Sequence, residues 1–164
     1  MRRKNQGPEE PPGPAPIGKE GASLLERVPL FGGLSRRGLR RLSEVAQQVE
    51  YTRGAIVVAA GTPGGAAFFV IAEGEVSVQR DGHELARLGP GEFFGELSLL
   101  DGKRRTATVV AEKPLTTVRL TRDAFRDLVA SDSDVAFQIM EVLGQRIRDL
   151  EDALAEARSA EASG

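Results

Sequence analysis

A chain of 164 residues, 40% of them hydrophobic, with a formal net charge of −2, has the apolar mass for one packed domain and no positive excess for coating nucleic acid. It has no cysteine, which removes disulfides and thiolate metal sites, and a single histidine, His83, which leaves almost no raw material for a histidine-built metal centre or a Ser-His-Asp triad. No run approaches the ~20 apolar residues of a membrane helix, and Met1-Arg2-Arg3-Lys4 leads into no secretory-type apolar stretch, so the expected compartment is the cytoplasm.

Residues 1–20 hold five of the nine prolines and few apolar side chains, too few to offset the entropy of ordering, and are expected to be a disordered arm. Ser23 to Val28 reads as a helical turn stopped near Pro29. Ser35 is an N-cap for a second helix, whose Leu39, Leu42, Val45 and Ala46 recur at helical spacing. The other face of that helix carries Arg36, Arg37, Arg40 and Arg41, either a solvated face or a docking patch for an acidic partner.

From Val49 to Leu120 short apolar runs alternate with glycine-bearing turns. The runs are Ala55–Val58, Ala67–Ala72, Glu75–Gln79, Glu84–Leu88, Ala107–Ala111 and Leu115–Leu120, a pattern of short strands that points to a sandwich or jelly roll. Asp81-Gly82 is a two-residue hairpin signal, and His83 beside it is expected to be an exposed flank of the turn. After Thr121, a helix cap, the period turns helical, and Asp132 or Ser133 starts a second, longer helix.

In that last helix Ala136, Met140, Leu143, Ile147, Leu150, Leu154 and Ala157 step by four and three, an a/d seam. Its first part is expected to pack on the β-structure and its second part on a parallel partner helix, a homodimer through Met140, Leu143, Ile147, Leu150 and Leu154. Gly144 weakens the helix by about 1 kcal/mol relative to alanine and marks a hinge or a close crossing. The tail from Ser159 is expected to fray.

The candidate site lies between Phe94 and Val109. Phe94 ends a strand, and Gly95 lets the backbone turn at close range into a short helix over Glu96–Asp101, with Gly102 at its C-cap. Free N–H groups at such a helix start attract an anion. Arg105 offers a planar two-pronged donor to phosphate oxygens, Thr106 adds a hydroxyl, and Glu96 is an acceptor suited to a ribose hydroxyl. Taken singly, Glu96 is an ordinary N-terminal helix acid, Arg105 a surface charge and Thr106 a strand residue; Leu97, Leu99 and Leu100 read as core. The combination at fixed spacing inside a strand–helix–strand is what points to a ligand.

The stretch Phe94 to Val109 resembles, without a gap, the phosphate-binding cassette of the cyclic nucleotide-binding domain family. The similarity extends through Val28-Pro29-Leu30-Phe31-Gly32-Gly33-Leu34, Gly61-Thr62-Pro63-Gly64, Glu73-Gly74-Glu75-Val76 and Leu88-Gly89-Pro90-Gly91-Glu92-Phe93-Phe94, and so covers all but the two tails. The resemblance implies a mainly β fold, an eight-stranded jelly-roll barrel of about residues 49–120 with N-terminal helices and with C-terminal helices over about 122–158, in a domain spanning 21–158. It implies ligand contacts from Phe94, Gly95, Glu96, Leu97, Ser98, Arg105, Thr106 and Ala107, with Glu96 on the ribose 2′-OH and Arg105 on the cyclic phosphate. It implies Arg146, 41 residues after Arg105, as the residue that caps the base, with Gln145 as the neighbouring alternative. A charge paired with Glu141 or Glu151 is the other reading of Arg146. Thr106 stands where the family often has alanine or serine; threonine there is typical of cGMP-selective kinase sites and also occurs in cAMP-preferring channel domains. The ligand is therefore cAMP or cGMP, with cAMP preferred because bacterial-looking members mostly use it, and no metal is expected. Gly65 replaces a common acidic residue, and Arg104 either strengthens anion binding or faces water.

The resulting expectation is a stand-alone cyclic nucleotide sensor that rearranges its C-terminal helices and signals through an effector protein which the sequence does not identify. It would bind no DNA directly and have no membrane span. The alternative is a protein-interaction or dimerisation module with a degenerate pocket, resting on the Arg36–Arg41 patch and the heptad seam. Catalysis is not expected: a cupin-type metal site needs several histidines, and no nucleophile–base pair is evident.

Overall fold

Turn chemistry and two-sided burial account for most of the architecture. The computed structural model describes residues 15–17, 19–63, 67–96 and 101–164. Among these, the strands are β1 (Ala15–Pro16), β2 (Gln47–Tyr51), β3 (Ile56–Val58), β4 (Ala67–Glu73), β5 (Val76–Arg80), β6 (His83–Leu88), β7 (Phe93–Phe94), β8 (Thr108–Ala111) and β9 (Leu115–Thr121). The helices are α1 (Lys19–Glu26), α2 (Arg36–Val45), α3 (Arg122–Ser131) and α4 (Ser133–Ala162), with a 3-10 turn at Pro29–Phe31.

The strands form two antiparallel sheets, ordered β1-β2-β9-β4-β7 and β3-β8-β5-β6. The fold is thus mainly β with flanking helices. The eight strands closing into a barrel are not found: no hydrogen-bonded closure joins the two sheets among the described residues. The Asp81-Gly82 hairpin forms as its chemistry requires, with φ of +52° and +77°, and His83 flanks it in the exposed first position of β6.

Strand β4 shows how the layers are built. Its first five residues are all buried, because successive side chains point to opposite faces and both faces are covered. Phe68 and Val70 join a core with Leu25, Phe31, Leu42, Leu128 and Val135 from the helices. Ala67, Phe69 and Ile71 join a second core between the sheets, with Val76, Phe94 and Val109. Strand β7 divides likewise: the Phe93 ring lies 5.4 Å from Phe68 in one core, and Phe94 stacks at 5.0 Å on Phe69 in the other.

The caps form as read. Ser35 Oγ accepts from Gly38 N–H (3.1 Å), Thr121 Oγ1 from Ala124 N–H (3.3 Å) and Asp132 Oδ1 from Asp134 N–H (3.1 Å). On α2, Arg36, Arg37 and Arg40 are exposed, while Arg41 donates to the Ser131 carbonyl at 3.3 Å.

Three expectations need correction. The arm is not disordered to residue 20: residues 1–14 lie outside the described part, but Ala15–Pro16 pair with Gln47 and Gln48, Ile17 is buried and α1 begins at Lys19. An edge strand tolerates the missing proline N–H, and one buried isoleucine anchors the segment. α4 continues past Ser159, where the helix was expected to end, to Ala162, through residues rich in alanine and glutamate, good helix formers. Finally, the face that α4 turns to the core is one residue away from the heptad seam. Val135 and Ile139 are buried and Val142 and Leu143 pack against them, whereas Met140 is 55% exposed. Gly144 marks no close crossing, since a Cβ there would meet nothing within 4 Å.

Candidate functional site

Gly95 follows β7 at φ +85°, in the left-handed region. A Cβ there would lie 2.7 Å from Arg105 Nη1 and 3.0 Å from the Ala67 carbonyl oxygen. Backbone hand and space therefore both require glycine. Arg105 uses the space so left. Its Nη2 donates to the Ala67 carbonyl at 2.6 Å and its Nη1 to the Gly95 carbonyl at 3.2 Å. Its own backbone is clamped to a turn: Arg105 N–H donates to Thr62 O (3.0 Å) and Gly61 N–H donates to Arg105 O (2.9 Å).

Arg105 is 8% exposed, and among the described residues no carboxylate forms an ion pair with it. Burial pushes its guanidinium below the usual arginine range; the nearby charge of Glu96 opposes this and that of Arg119 adds to it. A guanidinium stays protonated in proteins even so. A buried cation held only by carbonyl dipoles is an incomplete arrangement, and an anion completes it.

Arg105 lines a cleft that opens to solvent. Its polar lining comes from Arg80, Glu96, Arg105, Thr106 and Arg146; its apolar wall comes from Val58, Val78, Leu85, Leu88, Phe94 and Val109. An open cleft with an apolar wall and a few placed polar groups is the form of a small-molecule site. Thr106 is exposed, and its carbonyl accepts from Arg80 Nε at 3.0 Å. Arg104 does not face the cleft freely: it donates to the Gly61 carbonyl at 2.7 Å.

α4 contributes Arg146 to the lining of the cleft. Arg146 Nη1 lies 2.9 Å from Glu96 Oε1 and donates to the Phe93 carbonyl at 3.2 Å, and its Cζ sits 4.9 Å from the Phe93 ring centroid. The Glu96 carboxylate is thus engaged by a side chain fifty residues further along the chain. Arg146 pairs with neither Glu141 nor Glu151, and Gln145 bonds to Asp149 at 2.9 Å instead of facing Glu96.

The structure therefore brings Phe94, Gly95, Glu96, Arg105, Thr106, Ala107 and Arg146 to one cleft. Leu97 and Ser98, with most of the expected helix over Glu96–Asp101, lie outside the described residues. Gly102 has φ +68°, and a Cβ there would meet Arg122 Nη1 at 2.7 Å. Arg80 and, Phe94 apart, the apolar wall were not singled out from the sequence. The available signal was alternation: Val76, Val78 and Arg80 share one face of β5, and Val76 is in the core.

With this geometry in hand, the chain can be set beside known proteins. The model of the cyclic nucleotide-binding domain family matches residues 48–132. The chain belongs to that family. It is 33% identical over 138 residues to a CRP-like cAMP-activated global transcriptional regulator of Mycobacterium tuberculosis, a match covering 81% of this chain and 61% of the relative. It is 33% identical to the cAMP-dependent protein kinase regulatory subunit of Aspergillus niger, over 69% of this chain and 28% of that one. Among solved structures, the catabolite activator protein of Thermus thermophilus is similar at 34% identity and a TM-score of 0.69, covering 79% of this chain and 63% of that one. The chain thus spans less than two thirds of the length of these relatives.

Proposed function

We propose that the domain senses a cyclic nucleotide, cAMP in preference to cGMP, in the cleft over Arg105. The observation that carries this reading is Arg105 itself, a buried guanidinium on the cleft wall with carbonyl partners and, among the described residues, no carboxylate paired to it. A cyclic phosphate supplies the missing anion. Glu96 then accepts from the ribose 2′-OH, and Gly95, Leu97 and Ser98 offer backbone groups to the phosphate. Phe94, Thr106 and Ala107 complete that side of the cleft, and Arg146 covers the base. The two sheets serve as the halves of the jelly roll that the family resemblance implies. The relatives named for cAMP support this base over guanine.

The role is binding rather than catalysis. Nucleotide binding favours the arrangement in which α3 and α4 close on the cleft, because a ligand shifts a conformational equilibrium only through its differential affinity for the two states. An effector protein, or a second copy of the chain meeting it along Met140, Leu143, Ile147, Leu150 and Leu154, reads that shift. Calorimetric titration with cAMP, cGMP and cyclic dinucleotides, repeated on Arg105→Ala, tests the reading. Binding of cAMP that Arg105→Ala abolishes supports it; undiminished binding in Arg105→Ala refutes it. Hydrogen exchange over residues 123–150, unchanged by bound cAMP, would refute the helix movement.

A further inference from the structure

Strand β9 presents a charge to the space between the two sheets. Its Val118 and Leu120 face the core under the helices and its Leu115 the core between the sheets, so alternation turns Arg119 to the inter-sheet side with Leu115 and Thr117. The register agrees: Arg119 pairs with Phe69, which packs in the inter-sheet core, and on its other side with Gln47. One inward pair further along, Thr121 lies opposite Ala67, whose carbonyl holds Arg105 Nη2 at 2.6 Å. Two residues of strand rise about 7 Å, less than the Debye length of about 10 Å at 0.1 M salt. Arg119 thus stands one inward pair from the anchor of Arg105, and its charge bears on Arg105 and on the Tyr51 hydroxyl. Its own bond is to a neutral group: Nη1 donates to Gln47 Oε1 at 2.7 Å, and among the described residues no carboxylate forms an ion pair with it. A neutral donor would serve Gln47 as well, and the two strands already pair over five residues.

We propose that Arg119 is a specificity-determining residue of the anion site that acts through space: without touching the ligand, it raises the affinity for an anionic nucleotide by setting a second positive charge near Arg105. This inference rests on the cyclic-nucleotide reading of the cleft. In the empty site the two like charges repel one another where water screens them poorly. A cyclic phosphate on Arg105 is attracted by both, so the second charge favours the bound state over the empty one. Glu96 does not cancel it, because that carboxylate is already paired to Arg146 at 2.9 Å. Arg119 is only half-buried, so its influence falls as salt rises.

The test is calorimetric titration of the full chain with cAMP, at low and at high salt, in the wild type, Arg119→Gln, Arg119→Lys and Gln47→Leu. Arg119→Gln should bind roughly threefold more weakly than the wild type at low salt, and the gap should close at high salt. Arg119→Lys keeps the charge, and Gln47→Leu keeps the charge while losing the bond; both should bind close to wild type at either salt concentration. Unchanged affinity in Arg119→Gln at low salt overturns the inference. So does a loss in Arg119→Gln that is the same at both salt concentrations, or one that Arg119→Lys or Gln47→Leu shares, because a packing or bonding role acts in that way. In these cases the nucleotide reading survives. A wild type that gives no heat with cAMP overturns both.

Discussion

Two guanidinium groups line the cleft, and they are held in opposite ways. Arg105 is buried, clamped through its own backbone to Gly61 and Thr62, and bonded to two backbone carbonyls. Arg146 lies on a helix flank, partly exposed, paired to a carboxylate and leaning on an aromatic ring. Backbone carbonyls fix a charge in place, because moving it would leave buried acceptors unpaired. An ion pair whose arginine is partly exposed holds that charge less firmly, since exposed pairs are worth about 0.2–1 kcal/mol. The difference separates a permanent anion floor from a movable wall.

The largest effect that could break this comparison is at the floor. Arg105→Ala should weaken cAMP binding by roughly 2–5 kcal/mol, the cost of removing one partner of a buried charged pair. Arg105→Lys, which keeps the charge and loses the fork, should fall short of the wild type as well. Equal affinity of Arg105→Lys and wild type in calorimetry would remove the two-pronged role. Next, Gly95→Ala should destabilise the fold by about 1–3 kcal/mol, because its Cβ collides with Arg105 and its φ is left-handed. Chemical denaturation measures this, and an unchanged midpoint would contradict the close approach.

On the movable side smaller numbers are expected. Arg146→Ala should cost less than about 1 kcal/mol of stability, as a partly exposed pair does. It should also speed nucleotide release several-fold in stopped-flow experiments; an unchanged release rate removes Arg146 as the lid. Gly144→Ala should stabilise the chain by up to about 1 kcal/mol, as its Cβ meets nothing. If the same variant loses the cAMP-dependent change in hydrogen exchange, the glycine serves as a hinge.

The smallest effect lies away from both arginines. Hydrogen bonds from Lys113 and Arg87 hold the Glu75 carboxyl below its usual range. A carboxyl depressed in the folded state stabilises above its unfolded pKa, and that contribution is lost as pH falls through the folded one. Glu75→Gln should therefore slightly reduce the loss of stability below about pH 4.5, seen in acid titration followed by circular dichroism.

The floor was legible in the sequence because its parts are local. Gly95, Glu96 and Arg105 lie within one strand–turn–strand, and the glycine and arginine are explicit in the residue pattern. Ser35, Thr121 and Asp132 announced their helices for the same reason. The N-terminal arm was misread because composition says nothing of a neighbouring sheet edge, and β1 exists only because β2 offers its free side to Ala15–Pro16. The heptad seam was correctly counted, yet periodicity cannot tell which of two adjacent apolar rows meets the core. Val135 and Ile139 took that place and left Met140 and Ile147 outside.

Beyond the N-terminal arm, the sequence by itself determined most of the strand and helix segments and where they turn, and that a glycine, a carboxylate and a guanidinium would share one short cassette. Only the tertiary structure decided that Arg146 lands on Glu96 and that Arg80 reaches the carbonyl of Thr106. Local bonds follow from neighbouring residues in a few allowed backbone states. Contacts across fifty residues depend on the angle at which α4 docks, and that angle is set by core packing which no local pattern records.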